Sequence, residues 1–375
     1  MSGGAVTPSL NIRESQGEAP SGGSHVKGTV ALMLVAMLLV ASFVIFGPSI
    51  SSAIKAVPGL LSLLTSTSAS SAGSSITDHS YSPLIGNGSA DVIYPPDYTT
   101  LEDYALQLIN WDRGNFSVAP VTLGSSPAGQ QHADSMLRYG YFSHWDTQGY
   151  KPYMRYTLLG GTGADFENIA YIYSPGANYN TASVEGAIKT LEYAMMYNDE
   201  ACCSNGHRDN ILNPLHDEVS IGVAYNSTTV FFDEEFESVY MSNFSLTVSS
   251  SNYVTMTGVP TDPAVTNNVS AIYITYDSTP QAETPSQLNS GPREYDPGTL
   301  TGGVLPAGFL GGCGQFETGT TVCATTWTFT QTQVDVGFSL NEFIQDYGAG
   351  VYTLYVVTGP STNTAIVTYS LFIES

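Results

Sequence analysis

The chain has 375 residues, 42% of them apolar, so it is long enough for two domains with real cores and too apolar to be disordered throughout. Ten Lys and Arg stand against 33 Asp and Glu, a formal charge of −23. That balance excludes a nucleic-acid binder, which needs basic contacts to phosphate, and argues against a surface held on anionic lipid headgroups. Only 11% of residues are charged and 24 are Tyr, so the exterior must be largely neutral and polar, as is common outside cells.

Residues 28–54 carry no charge, and Val30 to Phe46 is apolar throughout except for Ser42. About 20 apolar residues cross a bilayer core as a helix, and a helix apolar on every face suits lipid better than a half-solvated core. The organisation read from this is a cytoplasmic tail at 1–27, a transmembrane helix at 28–48 and a Ser/Thr/Gly-rich linker at 49–95. The rival is a signal peptide cleaved near Ser51-Ser52-Ala53. Arg13 and Lys27 before the run and Lys55 after it barely set its orientation. Five Asn-x-Ser/Thr sequons, at Asn87, Asn115, Asn226, Asn243 and Asn268, and all four cysteines lie beyond it, which places the bulk of the chain outside the cell membrane.

From Thr99 a helical period appears, with Leu101, Tyr104, Ala105, Leu108 and Ile109 on one stripe. A second helix is expected from Ser126-Pro127 to Gly140, a third over 152–159 and a fourth from Thr181 or Ser183 through Met195. Strands follow at 220–225 and 229–236, making 96–240 an α+β domain. From Ser242 the period becomes two, at Phe244, Leu246 and Val248, again at Ile272, Ile274 and Tyr276, and in two long runs at 351–357 and 365–373. Residues 241–375 therefore read as an all-β, immunoglobulin-like sandwich. The Pro/Gly-rich stretch 281–312 has no assignable period.

Three clusters in the α+β region carry candidate chemistry: Tyr141-Phe142-Ser143-His144, Phe166-Glu167-Asn168-Ile169-Ala170 and Gly206-His207-Arg208-Asp209-Asn210-Ile211-Leu212. Imidazoles and a carboxylate suit a divalent metal, but the spacings match no local metal motif. Together with Asn110-x-x-Arg113, Gln131-His132-Ala133-x-x-Met136 and Ile221-Gly222-Val223-Ala224, their order resembles the CAP superfamily, also called SCP or pathogenesis-related-1-like domains. The resemblance covers about residues 99–237. It implies an α-β-α sandwich whose cavity brings together His144, Glu167 and His207, often around a divalent metal, here zinc first. Glu167 would be a ligand or the base that deprotonates a metal-bound water. A fourth cavity carboxylate is ambiguous: Glu192 borders the right stripe, the alignment could place Ala194 there, and Asp199 or Glu200 could substitute. Phe166 also stands where many relatives have Gly. The plainer alternative is that the two histidines and Glu167 only tie the fold together.

Other candidates read more modestly. His132 is expected to be exposed on its helix, His216 to pack in a loop near the site, and His25 and His79 to lie in the N-terminal segments. Arg208 is expected to cap or to pair with a carboxylate. The run Asp233-Glu234-Glu235 with Glu237 could bind a cation, although a solvated edge strand is simpler. Cys313 and Cys323, ten apart, are expected to close a local disulfide. The adjacent Cys202 and Cys203 could form a vicinal disulfide, stay reduced or join a metal site. These features point to a surface protein that binds an unidentified ligand, with a metal-dependent hydrolase and a structural or adhesion protein as the other readings.

Overall fold

The computed structural model describes residues 98–308, 312–316 and 318–374. The apolar run at 28–48, the linker, His25, His79 and Asn87 lie outside them. Among the described residues no helix is long and apolar enough to cross a membrane.

Helix α1 (Tyr98–Asn115) buries Leu101, Ala105 and Ile109 on one stripe. Near its end the Asn110 side chain grips both backbone groups of Val121, at 2.8 and 2.9 Å, and so aligns the short β1 (Thr122–Leu123). Arg113, fully buried, donates to the carbonyls of Ala119, Ile211, Asn213 and His216. Helix α2 (Ala128–Tyr139) stops where Gly140 takes a φ of 70°. Helix α3 (Pro152–Leu158) starts on a proline, whose missing N–H costs nothing at that position. Next come β2 (Ala164–Tyr173), α4 (Thr181–Tyr197), capped by Asn180 and Ser183 in a reciprocal box, α5 (Glu200–Cys203) and α6 (Gly206–Ile211). Two long strands close this half, β3 (Glu218–Tyr225) and β4 (Thr229–Ser238).

The sheet order is β1-β3-β4-β2. Leu101, Ile109, Val184, Ile188 and Leu191 pack on one face, against Val219, Ile221, Val223, Phe232 and Phe236. On the other face Ala133, Met136 and Leu137 of α2 meet Ile169, Ala224 and Phe231. The result is three layers, helix–sheet–helix. A Cβ on Gly222 would stand 2.2 Å from the Gly129 carbonyl, so this α2–β3 approach requires glycine.

Only Val239 and Tyr240 separate β4 from the second half. That half contains β5 (Met241–Val248), β6 (Tyr253–Pro260), α7 (Pro263–Thr266), β7 (Ala271–Asp277), α8 (Pro285–Ser290), β8 (Thr299–Leu305), β9 (Thr320–Cys323), β10 (Thr326–Phe329), β11 (Val334–Ser339), α9 (Asn341–Tyr347), β12 (Gly350–Val357) and β13 (Ala365–Ile373). Sheets ordered β10-β11-β6-β5 and β13-β12-β7-β8-β9 enclose one core that includes Val254, Met256, Ile274, Val336, Phe338 and Leu354. All pairings are antiparallel except β8 with β9.

The halves are packed together. Ala164 shares a cluster with Ala271, Tyr355, Val357 and Ala365, and Tyr153 and Met154 share another with Val351 and Phe372. The stretch 278–298, between β7 and β8, crosses onto the first half. Leu288 is buried in the α2 core, and Asn289 accepts from the Phe142 N–H and donates to the Gly140 carbonyl, both at 3.0 Å. Glu283 N–H donates to the Thr147 carbonyl at 3.0 Å, and Lys151 bridges Asp277 and Asp296 at 2.8 and 2.7 Å. At Gly149, φ is 82° and a Cβ would stand 2.3 Å from the Gln281 carbonyl. The sequence could not show this strap, because its partners lie on the other half.

Candidate functional site

His144 lies in the loop after α2, and Glu167 points from β2 to the same face of the sheet. His144 Nδ1 is 2.7 Å from Glu167 Oε1. Arg155 of α3 donates to Glu167 Oε2 and, at 2.7 Å, to the His144 carbonyl, so one guanidinium fixes both partners. The side chains of His144, Glu167 and Arg155 are 6%, 0% and 1% exposed. From the strap, Tyr295 Oη accepts the Glu167 N–H at 2.9 Å, and its ring centroid is 4.8 Å from that of His144.

Burial governs the charges here. It pushes the His144 imidazole well below its usual value, helped by the fields of His207 and Arg155 and opposed by Glu294 and the Arg293 backbone. It pushes the Glu167 carboxyl up to about 7 against the pull of Arg155. The pair can therefore share a proton at neutral pH, but it is walled in.

His207 belongs to a different set. Glu167 and Asn168 are consecutive in β2 and face opposite sides of the sheet. Asn168 donates to the His207 carbonyl at 3.2 Å and to Glu234 at 3.1 Å, while His207 Nδ1 sits 2.6 Å from Asp199 Oδ1. Among the described residues, two groups of three or more His, Cys, Asp or Glu have ligand atoms within 4.8 Å of one another: Asp199, Cys202, Cys203 and His207; and His132, Glu167 and Asp233. Neither contains His144. The ligand atoms of His144, Glu167 and His207 are not gathered in one group, because His207 pairs with Asp199 instead, so this set does not fit a shared metal in this arrangement, and no step is derived through one. Glu192 is buried, but it faces Glu234 and Asp112 rather than Glu167.

Two expectations are corrected. His132 is buried, not exposed, and its Nε2 lies 2.9 Å from the Ser143 carbonyl. The acidic run is not a solvated edge. It lies in β4, between β3 and β2, with Asp233, Glu234 and Glu235 at 0% exposure and Glu237 at 3%. Glu235 registers against Glu167, and Glu237 against Asp165, so Asp165, Glu167, Asp233, Glu235 and Glu237 share one face. No N–H or O–H donor reaches the carboxyl oxygens of Asp165, Asp233 or Glu235. Burial raises every one of these five carboxyls, and for Asp165, Asp233 and Glu235 the neighbouring carboxylates raise them further. Facing carboxyls hydrogen-bond only if one keeps a proton, so this nest holds protons or a cation.

The remaining motif residues make contacts away from the His144–Glu167 pair. Asn210 donates to the Phe166 carbonyl and to Asn168 Oδ1, each at 3.0 Å, and accepts from the buried His216 at 2.9 Å. Arg208 lies over the Phe116 ring at 4.9 Å. Cys313 is joined to Cys323, and Cys202 to Cys203. Asn115, Asn243 and Asn268 are exposed, whereas the Asn226 side chain accepts three hydrogen bonds in the β3–β4 turn. Clefts of about 190 and 210 Å³ open elsewhere, the first beside Glu102 and Gln131, the second beside Trp145 and Asp277; His144, Glu167 and His207 line neither.

No family model matches the chain, and no curated protein matches it. Among solved structures it is similar to an extracellular protein containing an SCP domain from Bacillus anthracis, at 21% identity and a TM-score of 0.28, over 39% of this chain and 44% of that one. The chain thus spans less than half the length of that protein.

Proposed function

We propose that this chain is a membrane-tethered, extracytoplasmic module with a CAP-type first half, and that it works by binding or scaffolding at the cell surface without turnover. The ordered motifs, the three-layer first half, the disulfides and the uncharged run at 28–48 support this reading. One observation carries the non-catalytic part: His144 and Glu167, the pair best suited to acid–base work, are buried and engaged by each other and by Arg155 and Tyr295 of the same chain. A hydrolase needs room for substrate and water at its base. The test is an assay of the full chain against peptide and polysaccharide substrates. No turnover is expected; turnover that disappears in Glu167→Gln would overturn the reading. Membrane fractionation with and without residues 28–48 tests the tether.

A divalent cation, zinc included, is a second reading favoured by the nest of carboxyls. Ligand atoms of His132, Glu167 and Asp233 lie within 4.8 Å of one another, and no N–H or O–H donor reaches Asp233. When bound, a cation would replace protons there as the counter-charge. Added zinc, magnesium or calcium should then raise the melting temperature at neutral pH, and Asp233→Asn should abolish the increase.

A further inference from the structure

The turn between α4 and α6 gathers four metal-ligating groups outside the His144–Glu167 pair. Asp199 is buried and already fixed: Oδ1 lies 2.6 Å from His207 Nδ1 and 3.6 Å from Cys202 Sγ, and Oδ2 accepts the backbone N–H of His207 at 2.9 Å and of Arg208 at 3.3 Å. Cys202 and Cys203 end α5. Ser204 and Asn205 then take φ of 52° and 66°, left-handed backbone that other residues than glycine rarely adopt, and this reversal returns the chain so that His207 meets the cysteines. One ligand atom from each of the four residues lies within 4.8 Å of every other. Cys202 is exposed and Cys203 and His207 are half-buried, so solvent reaches the group.

Stabilisation does not account for joining these two cysteines. A disulfide between adjacent residues closes almost no loop, so it removes almost no freedom from the unfolded chain. The surroundings offer another reason for the pair to be there: a buried carboxylate and an imidazole within 4.8 Å of two sulfurs make a mixed S, N, O ligand set.

We propose that Asp199, Cys202, Cys203 and His207 form a redox-gated site for a thiophilic divalent metal, zinc being the best match. In the disulfide form each sulfur is bonded to the other and the site is closed to metal. A dithiol reductant opens it: two electrons and two protons break the S–S bond and leave two thiols, while the reductant's own sulfurs become a disulfide. The entering metal displaces the two thiol protons to solvent and is held by two thiolates, the imidazole and the carboxylate, a four-coordinate closed set of the kind zinc favours. Ligand atoms around tetrahedral zinc stand about 3.3–3.8 Å apart, so the group needs only small side-chain shifts to close. The two sulfurs, however, must leave bonding distance. Disulfide and metal therefore exclude each other, and that exclusion is the gate. The site is independent of the reading of His144 and Glu167.

The experiment is titration of the full chain with zinc and with cobalt(II), once as isolated with its disulfides intact and once after reduction and desalting under inert gas. The reduced chain should bind one equivalent more than the oxidised chain and develop thiolate-to-cobalt charge-transfer bands in the near ultraviolet; the oxidised chain should show no such bands. Cys202→Ser and Cys203→Ser, at accessible positions where folding is not at stake, should each weaken binding by more than about 100-fold, beyond what loss of a supporting group alone costs. The Cys313→Ser/Cys323→Ser variant should keep the bands, and so should Asp233→Asn, which separates this site from the carboxyl nest. A reduced wild-type chain without the bands, or bands that survive in Cys202→Ser/Cys203→Ser, would overturn the proposal.

Discussion

Arg155 shows how much depends on one side chain. It reaches Glu167 and the His144 carbonyl and lies 3.6 Å from Glu235, a cation set against a face that carries five carboxyls. Removing one partner of a buried pair leaves the other uncompensated, which costs about 3 kcal/mol or more. Arg155→Met should therefore lower the melting temperature, and more at pH 8 than at pH 5, because at the lower pH the carboxyls it faces can be neutralised by protons. Melting curves at the two pH values check this; an equal loss at both would show that Arg155 acts only through packing. Tyr295→Phe removes one hydrogen bond to the Glu167 backbone and should cost about 1 kcal/mol while leaving the ring against His144.

At the scale of elements, the strap 278–298 and strand β4 carry what is unusual. Leu288 is the strap's anchor in the α2 core, so Leu288→Ala should cost about 3 kcal/mol and increase binding of a hydrophobic dye, measured by denaturant unfolding and fluorescence. The sequence announced the helices well: the stripe Leu101, Ala105, Ile109, the Pro127 and Gly140 boundaries and the stripe Val184, Ile188, Leu191 all lie close to the observed ends. It did not announce β2 as a strand, since Glu167 and Asn168 interrupt the apolar pattern and take partners on opposite faces. It did announce β4, at 229–236, but put its acidic run on a solvated edge rather than inside the sheet. Acids normally mark a solvated edge, and only the flanks Val230-Phe231-Phe232 and Phe236 hinted that the run continues a buried strand. His144 and Glu167 were legible as a pair from their motifs. The placement of His207 with Asp199 was not, because it depends on the left-handed turn at Ser204 and Asn205.

For the whole molecule, shared clusters across the two halves imply one cooperative unit: calorimetry should give a single unfolding transition, and residues 96–240 alone should not fold stably. Its pH dependence follows from the interior. Burial raises seven carboxyls of the inner sheet and its flank, Asp165, Glu167, Glu192, Asp233, Glu234, Glu235 and Glu237, raises Asp112, Asp217 and Glu218 as well, and lowers three imidazoles, His132, His144 and His216. A carboxyl raised on folding stabilises below its unfolded value and loses that effect as pH rises through the folded one, about 7 for Glu237, worth on the order of 3 kcal/mol. A lowered imidazole does the reverse, losing its contribution as pH falls below about 6.5. The raised carboxyls outnumber the lowered imidazoles, so stability should fall as pH rises through about 7, where Glu167 and Glu237 lose their protons, as unfolding measured across pH would report. Several of the chain's few cations are also spent inside. Of the seven Lys and Arg among the described residues, Arg113, Lys151 and Arg155 are buried, Arg138 and Arg208 are half-buried, and Lys189 and Arg293 are exposed. Within the described residues, a protease that cuts after basic side chains would find only these two fully open to it.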